Sequence, residues 1–539
     1  MATADARLGQ YLIQINGLVA ARNESSLARF IALEPPFDAG HQALIDELRN
    51  VYPRGKEGVL EQKCTQLLTA GVEGDDGGGS WTSFVKFMVQ YLNYLRDISA
   101  DASKYLQTYE LLSELQQRAN SALSHSTLGH LILPVVIVNA KLVCRLAIGL
   151  DRQPELIAHL RSGGQARGDD GTSRETLPER AANTIRGAFV TCLNDRLSDL
   201  SASGHPEGKK RGIYTLANLC LKILFQCRKT RNATQLFDNL YTQSPPLAAY
   251  PKRDRVTFLY YLGRFLFQNS HFYRAAQALQ HAYDESPAHP SCRPQRRHVL
   301  IYLLASNIIL GRFPTPALLA TPEAHNLPAY FLPLCHAIRT GSLSAFHRHL
   351  SLSSPHAPWL LHHRLLLPLR NRCEPLVWRS LIRKTWNTIG VRPDPGSKTA
   401  PHCYLAQLTT AFHLMRQEEQ EEEEDTYTDP DFTSLTFPPP SAATQSAENL
   451  LDISSKLSSL IDQGLISGFI AHRSGRFAIK GAAKHDGDAL AAGFPKPYAV
   501  LTAKAKAAGE DVVPGWKKEG VGLRLGGVVR LSGVRGVGA

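Results

Sequence analysis

The segment YYLGRFLFQNSHFYRAAQALQHAYDESP, from Tyr260 to Pro287, sets Gly263, Ala275, Leu279, Ala282 and Pro287 at intervals that suit two antiparallel helices. Small residues at Gly263 and Ala275 let the two helix backbones approach closely, and Leu262, Leu266 and Leu279 fill the space between them. Pro287 then ends the second helix, because it has no N–H to donate and its ring clashes with the preceding turn.

Five positions agreeing at once make this the helix-turn-helix unit of a tetratricopeptide-type (TPR-like) repeat. Helical periodicity dominates from residue 5 to about 390, and alternating strand patterns are nearly absent there. WTSFVKFMVQYLNYLRDI, GIYTLANLCLKILFQC and RRHVLIYLLASNIILG are apolar over wide faces, so each needs neighbours on both sides, as in a stacked array of helix pairs. The polar, Gly-rich breaks at Gly71–Ser80, Ser162–Glu175 and Ser201–Gly208 read as loops or short insertions between helices. The most apolar run, Leu131 to Leu150, is long enough for a bilayer but carries Asn139, Lys141 and Arg145. It reads as a buried helix of the array, with no membrane partner. The N-terminal stretch lacks the basic-apolar-small order of a secretory signal, and Leu8, Leu12, Ile15 and Leu18 make it an amphipathic helix instead.

With 539 residues the chain has room for two to four domains, and its net charge of +12 favours acidic partners such as nucleic acid. Nine scattered cysteines without a CxxC pair indicate a reducing compartment.

The composition changes after about Pro401. CYLAQLTTAFHLM reads as one more helix, and the acidic run Glu418 to Asp425 with the prolines after it reads as a disordered insertion, 417–445. Leu450, Ile453, Leu457, Leu460 and Ile461 return to helical spacing, and Gly464 suits a C-cap. The period then switches to two over Leu465–Ile470 and Phe477–Ile479, with Ser474-Gly475 as a hairpin turn. Helix, strand, turn, strand is the end of a winged helix. The expected organisation is therefore N-terminal helical repeats over 1–200, further repeats over 201–400, a winged helix over 401–480 and a basic low-complexity tail with little packed structure over 481–539. The fold class is all-α: a TPR-like helical-repeat superhelix ending in a winged helix with a small β-hairpin wing.

A helical array closed by a winged helix resembles the PCI domain of proteasome-lid, COP nine signalosome and initiation-factor subunits. The segments AFVTCLNDR, GKKRGIYTLANLCLKILFQCRKTRNATQLFDNL, YYLGRFLFQNSHFYRAAQALQHAY, AIRTGSLSAFHRHL and LIDQGLISGFIAHRSGRFAIK make the likeness more specific. They resemble the family joining signalosome-subunit-12-like proteins to the PCI subunit of the nuclear mRNA-export complex, transcription-and-export complex 2. The resemblance implies a non-enzymatic nuclear scaffold, also compatible with the cytoplasm. Its implied partners are a large helical scaffold subunit and a small acidic disordered stabiliser, or else signalosome subunits, with RNA or double-stranded DNA on a basic surface.

No GxSxG, GxxxxGK[ST] or HExxH motif is present, and no cofactor is expected. Cys335, His336, His347, His349, His356, His362 and His363 cluster in sequence, but at spacings that fit no structural zinc pattern.

Two stretches suit phosphate contacts. Between His362 and Trp386, Arg364, Arg370, Arg372, Arg379, Arg383 and Lys384 face a single acid, Glu374; on a helix Arg372, Arg379 and Arg383 share one stripe. At the wing turn stand His472, Arg473, Arg476 and Lys480. Arginines paired with a protein partner, and a wing packed on a neighbouring PCI subunit, are the competing readings. Neither stretch carries an RNP-like aromatic set, which argues against sequence-specific RNA reading. Lys209, Lys210 and Arg211 read as the flank of a loop.

Overall fold

Helices of this chain bury apolar stripes on two sides, so they stack rather than form one layer. The computed structural model describes residues 6–69, 81–98, 104–153, 155, 176–196, 200–392, 399–423, 442–485 and 487–509. The chain divides into two compact units, one ending at Tyr261 and the other beginning at Leu262.

The first unit holds α1 (Ala6–Ala20), α2 (Glu24–Phe30), α3 (Ala39–Val51), α4 (Glu57–Leu67), α5 (Thr82–Asp97), α6 (Tyr105–Leu123), α7 (Leu133–Asp151), α8 (Leu177–Leu193), α9 (Ile213–Gln226) and α10 (Thr234–Gln243). It also takes in the first part of α11 (Lys252–Gln268). Successive helices from α5 to α9 pack side by side. The apolar run of α7 is buried between α6, α8 and α9; Asn139, inside it, donates to the Leu112 carbonyl at 3.1 Å. The amide nitrogen, which would be costly in lipid, thus finds an acceptor on a neighbouring helix. Thr176 and Glu179 close a capping box at the start of α8. The Gly-rich stretch Ser201–Gly208 is a connection between helices. Ser201 donates to the His205 carbonyl, closing a turn, and α8 and α9 on either side pack on each other.

The second unit continues with α12 (Phe272–Glu285), α13 (Arg293–Ile309), α14 (Pro316–Leu319), α15 (Leu327–Thr340), α16 (Leu343–His349), α17 (Ala357–His362) and α18 (Leu366–Ile389). Gly263 and Leu279 are the close approach expected between α11 and α12: a Cβ added at Gly263 would lie 2.4 Å from Leu279 Cγ. Leu262, Leu266, Ala275 and Leu279 are all buried there, and α12 stops two residues before Pro287. Gly341, at φ +73°, ends α15 where a Cβ would meet the Leu381 backbone nitrogen at 2.6 Å, so only glycine allows α15 this close to α18.

The winged helix comprises β1 (His402–Tyr404), α19 (Leu405–Glu423), α20 (Ala442–Asp462), β2 (Gly468–Ala471) and β3 (Arg476–Ile479), with the sheet ordered β1-β3-β2 and antiparallel throughout. The hairpin is as expected, with Gly475 in the left-handed region at φ +60°. β1 is a correction: Cys403 and Tyr404, read as helix, pair with Phe477 and Arg476 instead. The buried apolar side of β3 needs a second strand beside it, and Cys403 covers that side.

Two further expectations fail. Residues 417–423 extend α19 and 442–445 begin α20, so the helices run into the acidic insertion from both ends; 424–441 lie outside the described residues. Residues 487–509 are packed rather than tail-like. α21 (Ala489–Gly493) and α22 (Pro497–Ala507) follow β3, with Phe494 buried, Pro497 against Gly311, and Lys504 donating to the Asp462 carbonyl at 2.6 Å. Ala489, Ala492 and Phe494 are buried, whereas no residue of α22 is; residues 510–539 lie outside the described residues.

Candidate nucleic-acid interface

α18 carries the first group of sequence-picked cations, and the structure separates them. Arg379 is only 8% exposed. Its Nε donates to the Leu465 carbonyl at 3.1 Å, and its Nη2 donates to the carbonyls of Phe494 at 2.9 Å and Pro495 at 2.7 Å. Burial, helped by the neighbouring charge of Arg383, lowers its pKa to about 10. Arg379 therefore leaves the phosphate-binding set: it shares a helical stripe with Arg372 and Arg383, but the winged helix and the following segment cover the middle of that stripe.

The two ends of the stripe stay in solvent. Arg372 lies with its guanidinium carbon 5.8 Å from the centre of the Phe272 ring. Arg383 and Lys384 border a cleft of about 370 Å³ together with Arg339, Thr340, Ser380, Asn387 and Leu490. No carboxylate is among these lining residues. Arg339 comes from the end of α15, which Gly341 holds against α18; it was missed in the sequence because it stands far from Arg383 along the chain. Eleven residues of helix place Arg372 roughly 16 Å from Arg383, so the two would touch different phosphates.

The wing gathers the second group. His472 and Arg473 are exposed at its turn, and Lys480 is exposed just beyond β3. Arg476 lies partly covered, its guanidinium carbon 5.1 Å from the Tyr404 ring centre and its Nη2 donating to the Tyr404 hydroxyl at 3.3 Å. The end of α18 is joined to the edge of this sheet, because Val391 bridges His402, the partner of Ala478.

The single acid of the α18 stretch turns elsewhere. Glu374 accepts from His347 at 3.4 Å, and this contact holds its carboxyl below the usual range. Both line a second cleft of about 320 Å³ with Trp378, Phe412, Asp452 and Lys456.

Of the clustered histidines, His349 lies against His356, with ring centres 5.1 Å apart, and His362 against His363 at 5.0 Å. His349 pairs with the Tyr330 carbonyl at 2.8 Å, and His363 packs on Trp359 with ring centres 4.6 Å apart. Among the described residues no three His, Cys, Asp or Glu side chains converge as metal ligands. The arrangement offers cations on a hydrogen-bonded frame.

No protein-family model matches the sequence. The chain is similar to a PCI domain-containing protein of Schizosaccharomyces pombe, 25% identical over 474 residues, which span 88% of this chain and 92% of that protein. A CSN12 homolog of Gibberella zeae is 26% identical over 396 residues, spanning 70% of this chain and 83% of the relative. PCI domain-containing protein 2 of Danio rerio is 23% identical over 392 residues, spanning 73% and 85%. With its helical repeats, its winged helix and these relatives along most of its length, the chain is similar to PCI-domain and CSN12-like proteins.

Proposed function

We propose that this chain is a non-enzymatic PCI scaffold subunit of a nuclear complex that couples transcription to mRNA export. Its helical repeats would hold a large helical scaffold subunit and a small acidic, disordered stabiliser. Its winged helix would offer nucleic-acid phosphates the Arg339–Arg383–Lys384 cleft and the His472–Arg473 turn.

One observation carries this reading. Arg379 locks the winged helix to α18 from inside, which leaves Arg383, Lys384 and the wing cations on a fixed surface with no lining carboxylate at the cleft. Fixed cations without local counter-charges bind phosphates by releasing counterions, without reading bases. The test is affinity purification from nuclear extract followed by mass spectrometry, together with RNA and duplex DNA binding at two salt concentrations. Recovery of export-complex scaffold subunits and salt-dependent binding support the reading.

A second reading has its own support. β2 is an edge strand whose outer side has no ladder partner among the described residues, and several relatives bear the name CSN12 homolog. An open edge suits strand addition by a neighbouring wing, as in a signalosome-associated subunit acting through protein contacts alone. Recovery of signalosome subunits without nucleic-acid binding would favour it.

A further inference from the structure

Cross-strand partners in a sheet put their side chains on the same face. The register pairs Phe469 and His402 with Ala478, and Ala471 and Tyr404 with Arg476. These six residues therefore share the outer face of the wing, while Cys403, Phe477 and Ile479 are buried on the inner one. Phe469 is 51% exposed and Tyr404 37%. Between the strands that carry them, Ala478 forms a low floor. His402 meets the Tyr404 ring edge-on, with centres 5.6 Å apart, and Arg476 lies over its face. Phe469 and Tyr404 stand on strands separated by one other, roughly 10 Å apart.

An exposed aromatic pair on a small sheet is a costly surface unless something covers it. The surrounding charge identifies the occupant. Between Asp462 and Asp486 the sequence contains no acid, while His472, Arg473, Arg476 and Lys480 all belong to or flank the hairpin. A face with the exposed Phe469 ring, the part-exposed Tyr404 ring beneath Arg476 and cations beside them is complementary to a polyanion that also carries flat apolar faces. Single-stranded nucleic acid has that chemistry: its bases stack on aromatic side chains and its phosphates reach the rim. In a duplex the base faces are already stacked on one another, so the rings have nothing to meet.

We propose that the outer face of the wing is a base-stacking platform, with Phe469 and Tyr404 each taking a base of one strand of single-stranded nucleic acid. This rests on the nucleic-acid reading above and gives it a substrate class: unpaired RNA or DNA, held without sequence preference.

The test uses the full chain and fluorescence anisotropy with three probes of about 12 nucleotides, within the span such sites cover. They are an oligouridylate, an abasic strand with the same phosphates, and a duplex. The wild type is expected to bind oligouridylate most tightly. Phe469→Ala and Tyr404→Ala should each weaken oligouridylate binding at least about five-fold, the lower end for a lost stacked base, and leave the abasic strand unaffected. Phe469→Trp and Tyr404→Phe keep a ring and should keep the affinity. If both alanine variants retain the wild-type circular dichroism spectrum and bind oligouridylate as the wild type does, the platform is overturned. The phosphate-binding reading would then stand alone, provided that Arg473→Glu weakens all three probes. If the wild type binds no probe at low salt, both readings fall together.

Discussion

Arg379 donates to the carbonyl oxygen of Phe494 at 2.9 Å while its guanidinium carbon lies 5.9 Å from the centre of that residue's ring. One side chain thus joins α18 to the segment that follows the wing, and its Nε donates to the Leu465 carbonyl, just before β2. The winged helix is held from its inside, and its outer faces are left for partners.

Replacing Arg379 by alanine removes the donor to three carbonyls. The loss should be roughly 3 kcal/mol, the scale for hydrogen bonds to a charged group with some of the orphaned acceptors resolvated. Calorimetric unfolding reads this directly. Arg379→Lys should recover only part of it, because an ammonium cannot present the flat fork that reaches acceptors on both sides. An unchanged melting temperature in Arg379→Ala would show that residues 494–495 do not dock on α18.

At Gly263, alanine already puts a methyl group 2.4 Å from Leu279 Cγ, and leucine adds more. Gly263→Leu and Ala275→Leu should each destabilise by roughly 1–3 kcal/mol through overpacking. Coupling the smaller change, Gly263→Ala, to Leu279→Ala should recover part of the loss, since the second substitution vacates the space the first one needs. Melting curves of the two single variants that overlay the wild type would argue against a close helix pair.

Charge reversal separates surface cations from buried ones. Arg383→Glu, Lys384→Glu and Arg473→Glu should each weaken binding to the same degree for any nucleic-acid sequence. Each should also reduce the slope of log affinity against log salt by about one. Such variants should still fold, because all three side chains are exposed. Binding that is insensitive to all three would move the interface away from α18 and the wing turn. Failure to assemble with partner subunits would place these residues at a protein contact.

Stability should fall as the pH drops from 6.5 towards 4. Burial lowers the pKa of His363 to about 4, with further lowering from His362, His298, Arg264 and Arg297. A folded-state pKa below the unfolded value means that the unfolded chain binds more protons across this window, so the stabilisation is full above 6.5 and lost as the pH falls through 4. Denaturant titrations at pH 7 and pH 5 measure it. In His363→Gln the difference between the two should shrink; an unchanged difference would assign it to other groups.

How much of this was legible beforehand differs from element to element. The α11–α12 hairpin could be read from Gly263, Ala275, Leu279 and Pro287, because helix packing and helix termination depend on residue size and on proline's missing donor at fixed intervals. The β2–β3 hairpin was equally local, since a period of two flanks a turn at Ser474-Gly475. β1 was not legible: three residues, His402 to Tyr404, are too few for a period to show, and their strand state comes from pairing with Phe477 and Arg476.

The same division runs through the candidate site. Sequence alone determined which residues are cationic and that Arg372, Arg379 and Arg383 lie on one helical stripe. Only the tertiary structure decided that Arg379 is buried while its two companions are exposed, because what covers the stripe are the backbone carbonyls of Leu465, Phe494 and Pro495, 86 to 116 residues further along the chain. It likewise set Arg339 beside Arg383 and Phe469 on the same face as Tyr404. Period and propensity act over a few residues, whereas burial and juxtaposition depend on which distant segment arrives alongside, and a linear pattern carries no record of that.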